Sequence, residues 1–339
     1  MTTRHDVAAR AGVSPSTVSR VINGNGYVAQ DVRFRVERAI HELSYVPNRI
    51  ARSLRMNESM QIACITHNIT NPFYGEIILG LEDILFQSGY TLSLYTSNFT
   101  EQDYHRTVGE RMYDGLVVLS PVELGRVVKL EALKEKIPMA VYWDFTNASP
   151  VSNVTLDLRT AMTEAVAHLL QGGHQRIVFL GHETERPEEN PRYQGYVDAL
   201  TSYGIPWSQE LILTTPAWGD SPEFGYEKMT GFLQRDVPFT ALVASNDLLA
   251  YGAIRALYEC GKRVPDDVSV IGFDDLDITR FATPALTTVH VPKRLIGERL
   301  GALLLQDIAG TLGTPGAVVL RAQLVCRETT KPLVDLGSV

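Results

Sequence analysis

Apolar positions at the start of the chain recur at helical spacing in three short bursts. Val7, Ala8 and Ala11 share one face of a first helix, which Gly12 ends. Ser14 stands where a second helix needs its N-cap, and Pro15 suits the first turn, where a missing N–H costs nothing. Val18 and Val21 then point inward and leave Pro15, Ser16, Thr17, Ser19 and Arg20 outside, a small and polar face. Beyond the turn Asn23-Gly24-Asn25-Gly26, the residues Val32, Val36, Ala39, Ile40 and Leu43 stripe a third helix. Two short helices meeting at a glycine-containing turn, with a third across them, predict a helix-turn-helix. A small helical cap without a ligand fits the same pattern.

From residue 61 the pattern changes to apolar runs alternating with amphipathic stretches. QIACIT predicts a strand, 73–88 a helix, TLSLYT a strand, 101–112 a helix, GLVVLS a strand, 122–135 a helix and PMAVYW a strand. After about residue 157 the rhythm restarts: a helix to 171, RIVFLG, a helix over 191–203, LILTT, a helix over 222–234, ALVAS, a helix over 247–260 and VSVIGF. LTTVHV, a helix over 292–309 and VVLRAQLV follow. Such alternation predicts parallel sheets covered by helices, and two rounds predict two similar lobes.

Charge sharpens the division. Over its 339 residues the chain carries a net charge of -8, which argues against nucleic acid until its distribution is read. Residues 1–60 hold nine arginines, no lysine and five acids, for +4, and the remainder carries -12. A basic head on an acidic body can meet phosphates while the body stays off the DNA. The N-terminal MTTRHDVAAR is no apolar signal, and no later apolar run reaches about 18 residues, so a cytosolic chain without a membrane partner is expected. Cys64, Cys260 and Cys326 lie far apart beside apolar segments and read as reduced core residues. His168, His174 and His182 lack a ligand spacing and read as solvated or helix-end residues, so no metal is expected.

Enzyme chemistry finds no support. The chain has no GxxxxGK[ST], no GxSxG and no CxxC, and Asp274 and Asp275 are too close in sequence to flank a substrate as acid and base. No catalytic residue and no cofactor is expected. A solute-binding protein would share the body but lack the basic head.

DVAARAGVSPSTVSRVINGNGYV followed by ELSYVPNRIARSLR resembles the DNA-binding head of the lactose-repressor/galactose-repressor (LacI/GalR) family. The resemblance implies a helix-turn-helix over 1–46, a hinge helix and linker over 47–60, and a two-lobed α/β core like periplasmic binding proteins over 61–339. It implies that the chain crosses between lobes, the first covering about 61–157 plus 290–321 and the second about 158–289 plus 322–330. Pro15, Ser16 and Arg20 would face base edges, while Ser14, Thr17, Ser19 and Asn23 would hold backbone. Arg20 is the strongest reader, since its fork matches a guanine's O6 and N7. In the hinge, Leu54 would wedge into the minor groove, Ala51 would allow two helices to approach, and Asn48, Arg52 and Arg55 would line the DNA. The implied activity is repression at a palindromic operator by a homodimer; nothing in KPLVDLGSV resembles a coiled-coil segment that would add a tetramer.

Open α/β sheets take ligands beyond the C-terminal ends of their strands. Phe73 and Tyr74, Arg186 and Arg192, Trp218, Asn246 with Asp247, and Asp274 with Asp275 all fall there. The family's ligand contacts match Arg192, Asn246 and Asp274. Asn246 also reads as a helix cap, Asp274 or Asp275 as a cap of the next segment, and Trp218 as core packing. An aromatic plate with Arg, Asn and Asp suits a neutral saccharide. A purine or a phosphorylated effector is the alternative, and Glu188 and Glu189 between the two arginines oppose strong negative charge.

Overall fold

Thr3 starts the fold by accepting the Asp6 N–H on its hydroxyl, while the Asp6 carboxylate accepts the Thr3 N–H, a reciprocal cap for α1 (Arg4–Ala11). Gly12 leaves that helix at φ 64°, where a side chain would be strained. Ser14 then caps α2 (Pro15–Asn23), and Gly24 ends it at φ 67°. Across the pair lies α3 (Gln30–Glu42), and Val7, Val18 and Val36 at its crossing are fully buried. Arg35 reaches back to the Ala11 carbonyl at 3.1 Å, tying the third helix to the end of the first. In this computed structural model the described residues are 2–45, 58–66, 68–96, 112–119, 134–143, 151–182, 190–216 and 219–333. They fall into two units that part between Ser59 and Met60.

The second unit holds two six-stranded sheets. One runs in the order β11-β5-β4-β3-β1-β2. Its strands are β1 (Gln61–Thr66), β2 (Thr91–Thr96), β3 (Gly115–Val118), β4 (Met139–Trp143), β5 (Ser152–Leu156) and β11 (Ala317–Leu320), all paired in parallel. The other runs β12-β10-β9-β8-β6-β7. It comprises β6 (Ile177–His182), β7 (Ile212–Thr215), β8 (Ala241–Ala244), β9 (Ser269–Asp274), β10 (Thr287–His290) and β12 (Gln323–Val325), with only β12 antiparallel. The chain therefore passes between lobes after β5, after β10 and between β11 and β12. Parallel strands buried on both faces read as continuous apolar runs, and QIACIT and RIVFLG do so.

Helices cover the sheets as α4 (Pro72–Gln87), α5 (Leu158–Gln171), α6 (Pro191–Ser202), α7 (Pro222–Leu233), α8 (Asp247–Glu259) and α9 (Lys293–Ile308). Against α4, α9 approaches so closely that a Cβ on Gly297 would stand 1.9 Å from the Ile77 carbonyl oxygen. A Cβ on Gly80 would stand 2.1 Å from that of Arg294. The two backbones touch, which fixes α4, and with it one wall of the cleft, to the helix that follows the second crossing.

Several expectations are corrected. Strand β5 went unforeseen because Ser152, Asn153 and Thr155 interrupt the apolar run that marks the other strands, yet it lies inside the sheet and is buried throughout. Its polar groups are satisfied locally: Asn153 donates to the Val151 carbonyl at 3.0 Å, and the Gly316 N–H donates to Ser152 Oγ at 3.2 Å. VVLRAQLV is two strands in different sheets. Cys64 is a core residue, its thiol pushed up to about 12 by burial, but Cys260 and Cys326 are exposed. Of the three histidines, His168 stands in the last turn of its helix as expected, and none is fully exposed. His174 is 2% exposed, and His168 and His182 lie within hydrogen-bond reach of Thr330 and Thr215. The helices expected over 101–112 and 122–135 fall almost wholly outside the described residues. Among the described residues no helix is long and apolar enough to cross a membrane.

His174 gives a pH signature. One ring nitrogen faces the Thr240 hydroxyl at 3.0 Å, and Nε2 donates to the Lys331 carbonyl at 3.0 Å. Burial is the largest influence and lowers its pKa below 6.5. The unfolded chain thus binds a proton first, so stability falls as pH drops through 6.5 and levels off below the folded value. Urea midpoints of His174→Gln are expected to vary less with pH across that window than those of the parent protein. Parallel curves would show that another group carries the dependence.

Candidate functional site

On the head, the outer face of α2 is built as the sequence predicted. Ser16 and Arg20 are exposed, Pro15, Thr17 and Ser19 half-buried, and Val18 fully buried beneath them. Ser14 Oγ accepts the Thr17 N–H at 3.1 Å and lies 2.7 Å from Ser16 Oγ and 2.9 Å from Thr17 Oγ1. The cap thus employs the Ser14 oxygen and leaves Arg20 as the face's long donor. Asn23 is the last residue of the helix. The hinge candidates Asn48, Ala51, Arg52, Leu54 and Arg55 lie outside the described residues, as do Arg186 and Trp218 in the body.

In the second lobe, neighbouring strands bring the candidate polar groups to one edge. Val243 and Ile271 are register partners in β8 and β9, and Asn246 and Asp274 each follow three residues later. Arg192 sits at the start of α6, where Asn190 Oδ1 accepts the N–H groups of Arg192 and Tyr193 at 3.0 and 3.3 Å. Its guanidinium lies over the Phe273 ring, 4.8 Å from the centroid, next to Asp274 in the chain. Asn246 caps α8, accepting the Leu249 N–H at 2.7 Å, so capping occupies its oxygen alone. Neither Asp274 nor Asp275 caps the 3₁₀ turn Asp277–Arg280, whose N-cap is Leu276 without a side-chain bond.

Beneath this edge lies an ionic cluster whose acids, Asp247 and Asp275, the sequence placed at strand ends, but whose partners Thr288, His290 and Arg327 it did not. Asp247 is fully buried and takes the Thr288 hydroxyl at 2.6 Å and the Leu276 N–H at 2.8 Å; burial is the largest influence and raises its pKa. Asp275 takes Arg327 Nη2 at 2.5 Å and faces His290 Nδ1 at 2.9 Å. Thr66 Oγ1 and Ser245 Oγ, at the ends of β1 and β8, are buried without a hydrogen-bond partner among the described residues. Such hydroxyls are costly to leave unmatched. Among the described residues no group of acids, histidines and cysteines could hold a metal ion.

The first lobe faces this edge with the start of α4. Phe73 and Tyr74 pack edge to face with centroids 5.3 Å apart, but Phe73 is only 7% exposed and also packs on Tyr142. It is therefore core as much as plate. Asn71 caps α4 with Oδ1 on the Phe73 N–H at 3.0 Å, and its Nδ2 donates to Asp220 Oδ2 at 2.7 Å. Asn68 Nδ2 donates to the other Asp220 oxygen at 3.2 Å. One carboxylate of the second lobe thus joins two amides of the first. A pair 149 positions apart leaves no local signal; the one available was for the cap, since Asn71 directly precedes Pro72.

The chain matches the family model described as bacterial regulatory proteins, lacI family, over residues 3–48. It also matches that of a periplasmic binding protein-like domain over residues 166–330. The HTH-type transcriptional repressor PurR of Photobacterium profundum is 33% identical over 339 residues, covering 98% of this chain and all of that protein. Among solved structures, the lac repressor dimer bound to operator and the anti-inducer ONPF superposes with a TM-score of 0.83 at 28% identity, covering 97% of this chain and 99% of that one. The complex of the transcriptional regulator CelR with cellobiose gives 0.70 at 30% identity, covering 97% of this chain and all of that one.

Proposed function

This chain belongs to the lacI family of bacterial regulatory proteins, as a DNA-binding transcriptional repressor and not an enzyme, and from that premise we propose that it binds a palindromic operator as a homodimer controlled by a neutral saccharide. The observation that carries the ligand class is the shared edge of β6, β8 and β9. There Arg192, Asn246 and Asp274 supply a guanidinium, an amide and a carboxylate just beyond the ends of neighbouring strands, the guanidinium lying over the buried Phe273 ring. Mixed donors and acceptors of both charges match hydroxyl groups, whereas a planar base needs an open stacking face. Phe73, one of the candidates for such a face, is engaged in the core. The likeness to a cellobiose complex supports the same class.

Homodimer formation has its support in exposed apolar side chains on the body. Phe86 is 74% and Leu79 51% exposed on α4, and Tyr258, Ile278 and Phe281 are 59%, 54% and 79% exposed on the second lobe. A two-fold dimer presents two α2 helices to half-sites about one helical turn apart. A ligand that changes the angle between lobes would alter hinge pairing at residues 47–60, and the coupling is reciprocal: DNA and a releasing ligand each weaken the other.

Melting the full chain against neutral sugars, sugar phosphates and nucleobases tests the ligand class. A neutral sugar at about a hundred times its dissociation constant is expected to add roughly 2.7 kcal/mol and raise the melting temperature. A rise only with nucleobases or phosphates would replace the saccharide reading and leave the repressor assignment standing.

A further inference from the structure

Asp274 and Asp275 are consecutive non-glycine residues with positive φ, 116° and 54°. L-residues resist that region, and such strain persists only where its surroundings over-determine it. Here one ammonium holds both carbonyls: Lys293 Nζ donates to Asp274 O at 2.8 Å and to Asp275 O at 2.9 Å. Lys293 is 2% exposed and begins α9, where a cation opposes the helix dipole and no side chain caps the helix. Nothing about its own helix favours it there. Its charge also acts on buried Asp247, and on the other lobe it meets Glu76 of α4, whose Oε1 lies 3.5 Å from Nζ. Glu76 sits one turn beyond Phe73 and Tyr74, on the helix whose cap residue Asn71 grips Asp220. A single buried charge therefore touches the turn that carries Asp274 in one lobe and the cleft-lining helix of the other, just after the chain crosses between them.

We propose that Lys293 is a positioning residue of the cleft: it fixes the left-handed Asp274–Asp275 turn that aims Asp274, and through Glu76 it ties that aim to the position of α4. Movement of α4 relative to β9 then pulls on the ammonium and reorients the carboxylate, which links lobe geometry to ligand affinity. The proposal rests on the cleft reading only in taking Asp274 as a ligand contact.

Hydrogen exchange of the full chain without ligand tests it, with mass readout on peptides. In Lys293→Met, exchange within 275–281 is expected to rise about tenfold, because the Leu276 N–H now on Asp247 loses its fixed geometry. The first turns of α4 should follow, while β8 in the core stays unchanged. Glu76→Lys, at a half-exposed position, repels the same ammonium and is expected to give a smaller rise in both segments. Unchanged exchange at 275–281 in Lys293→Met overturns the proposal. So does a rise shared equally by β8, which would mark a lysine that merely stabilises the lobe. Should Lys293→Met not fold, Lys293→Gln and Glu76→Lys decide in the same way, with unchanged exchange at 275–281 again fatal. Because no ligand is present, failure here is separate from failure of the saccharide assignment, which melting against sugars decides.

Discussion

Replacing Asp275 with alanine is expected to lower unfolding free energy by about 3–5 kcal/mol, with a fall in melting temperature of roughly ten degrees. The side chains of Asp275 and Arg327 are 10% and 14% exposed, so their attraction is little screened by water. Removing the carboxylate leaves the Arg327 guanidinium, among the described residues, with the Leu286 carbonyl at 2.8 Å and the Thr279 hydroxyl at 2.9 Å. It also puts alanine at φ 54°, which aspartate and asparagine tolerate better. Asp275→Asn separates the two effects, since it keeps the shape and loses the charge. Asp275→Ala with Arg327→Met is expected to recover most of the loss, because an uncompensated buried charge does the damage. If Asp275→Ala stays within about 1 kcal/mol of the parent protein in urea unfolding, the pair contributes like an exposed one.

The same carboxylate has a defined pH dependence. Burial is the largest influence and pushes its pKa up, but Arg327, His290 and Thr279 together outweigh it and leave the group below 3.8. A depressed carboxylate contributes stability above its unfolded pKa and loses it as pH falls through the folded value. The gap between parent and Asp275→Asn should therefore be constant at neutral pH and close below 3.8.

Local signals carried most of the fold. Ser14, Gly12 and Gly24 mark helix ends because capping and left-handed geometry act within a few residues, and the chain bends where they stand. Continuous apolar runs marked the central strands for the same reason. Strand β5 escaped because its buried polar side chains are satisfied by groups that only the folded sheet supplies. Fold class and the strand-end placement of Arg192, Asn246 and Asp274 were legible, since the β-α alternation fixes which loops share an edge. The long-range partners beneath them were not. A lysine opening an amphipathic helix reads as a solvated charge, and Lys293 is buried only because α9 packs on α4 through glycines at 80 and 297. Asp220, Glu76 and Arg327 likewise gain their roles from partners far away in sequence. Sequence patterns reveal what a segment does by itself, and the residues that connect the lobes do nothing by themselves.

Arg20→Ala is expected to weaken binding to an operator selected from random DNA by about 10–100-fold, the 1–3 kcal/mol of a bidentate contact to one base. Fold stability should stay within about 0.5 kcal/mol, because the side chain is exposed and the helix core beneath it is Val18 and Val21. Other polar groups on this face are less free to read bases. Ser14 spends its oxygen on the cap, Thr17 is bonded to it, and Pro15 offers no donor. Two outcomes separate base reading from simple attraction. A base reader loses affinity for one base pair and leaves the salt dependence of binding nearly unchanged, whereas a phosphate contact weakens all sequences alike and lowers the salt slope by about one. Fluorescence anisotropy with the operator and its single-base variants, repeated at several salt concentrations, measures both. A uniform loss with a reduced slope would move Arg20 to the backbone and leave Ser16 as the exposed polar reader on α2. An operator preference that disappears at a single position, with the slope intact, would show that its guanidinium reads that base pair.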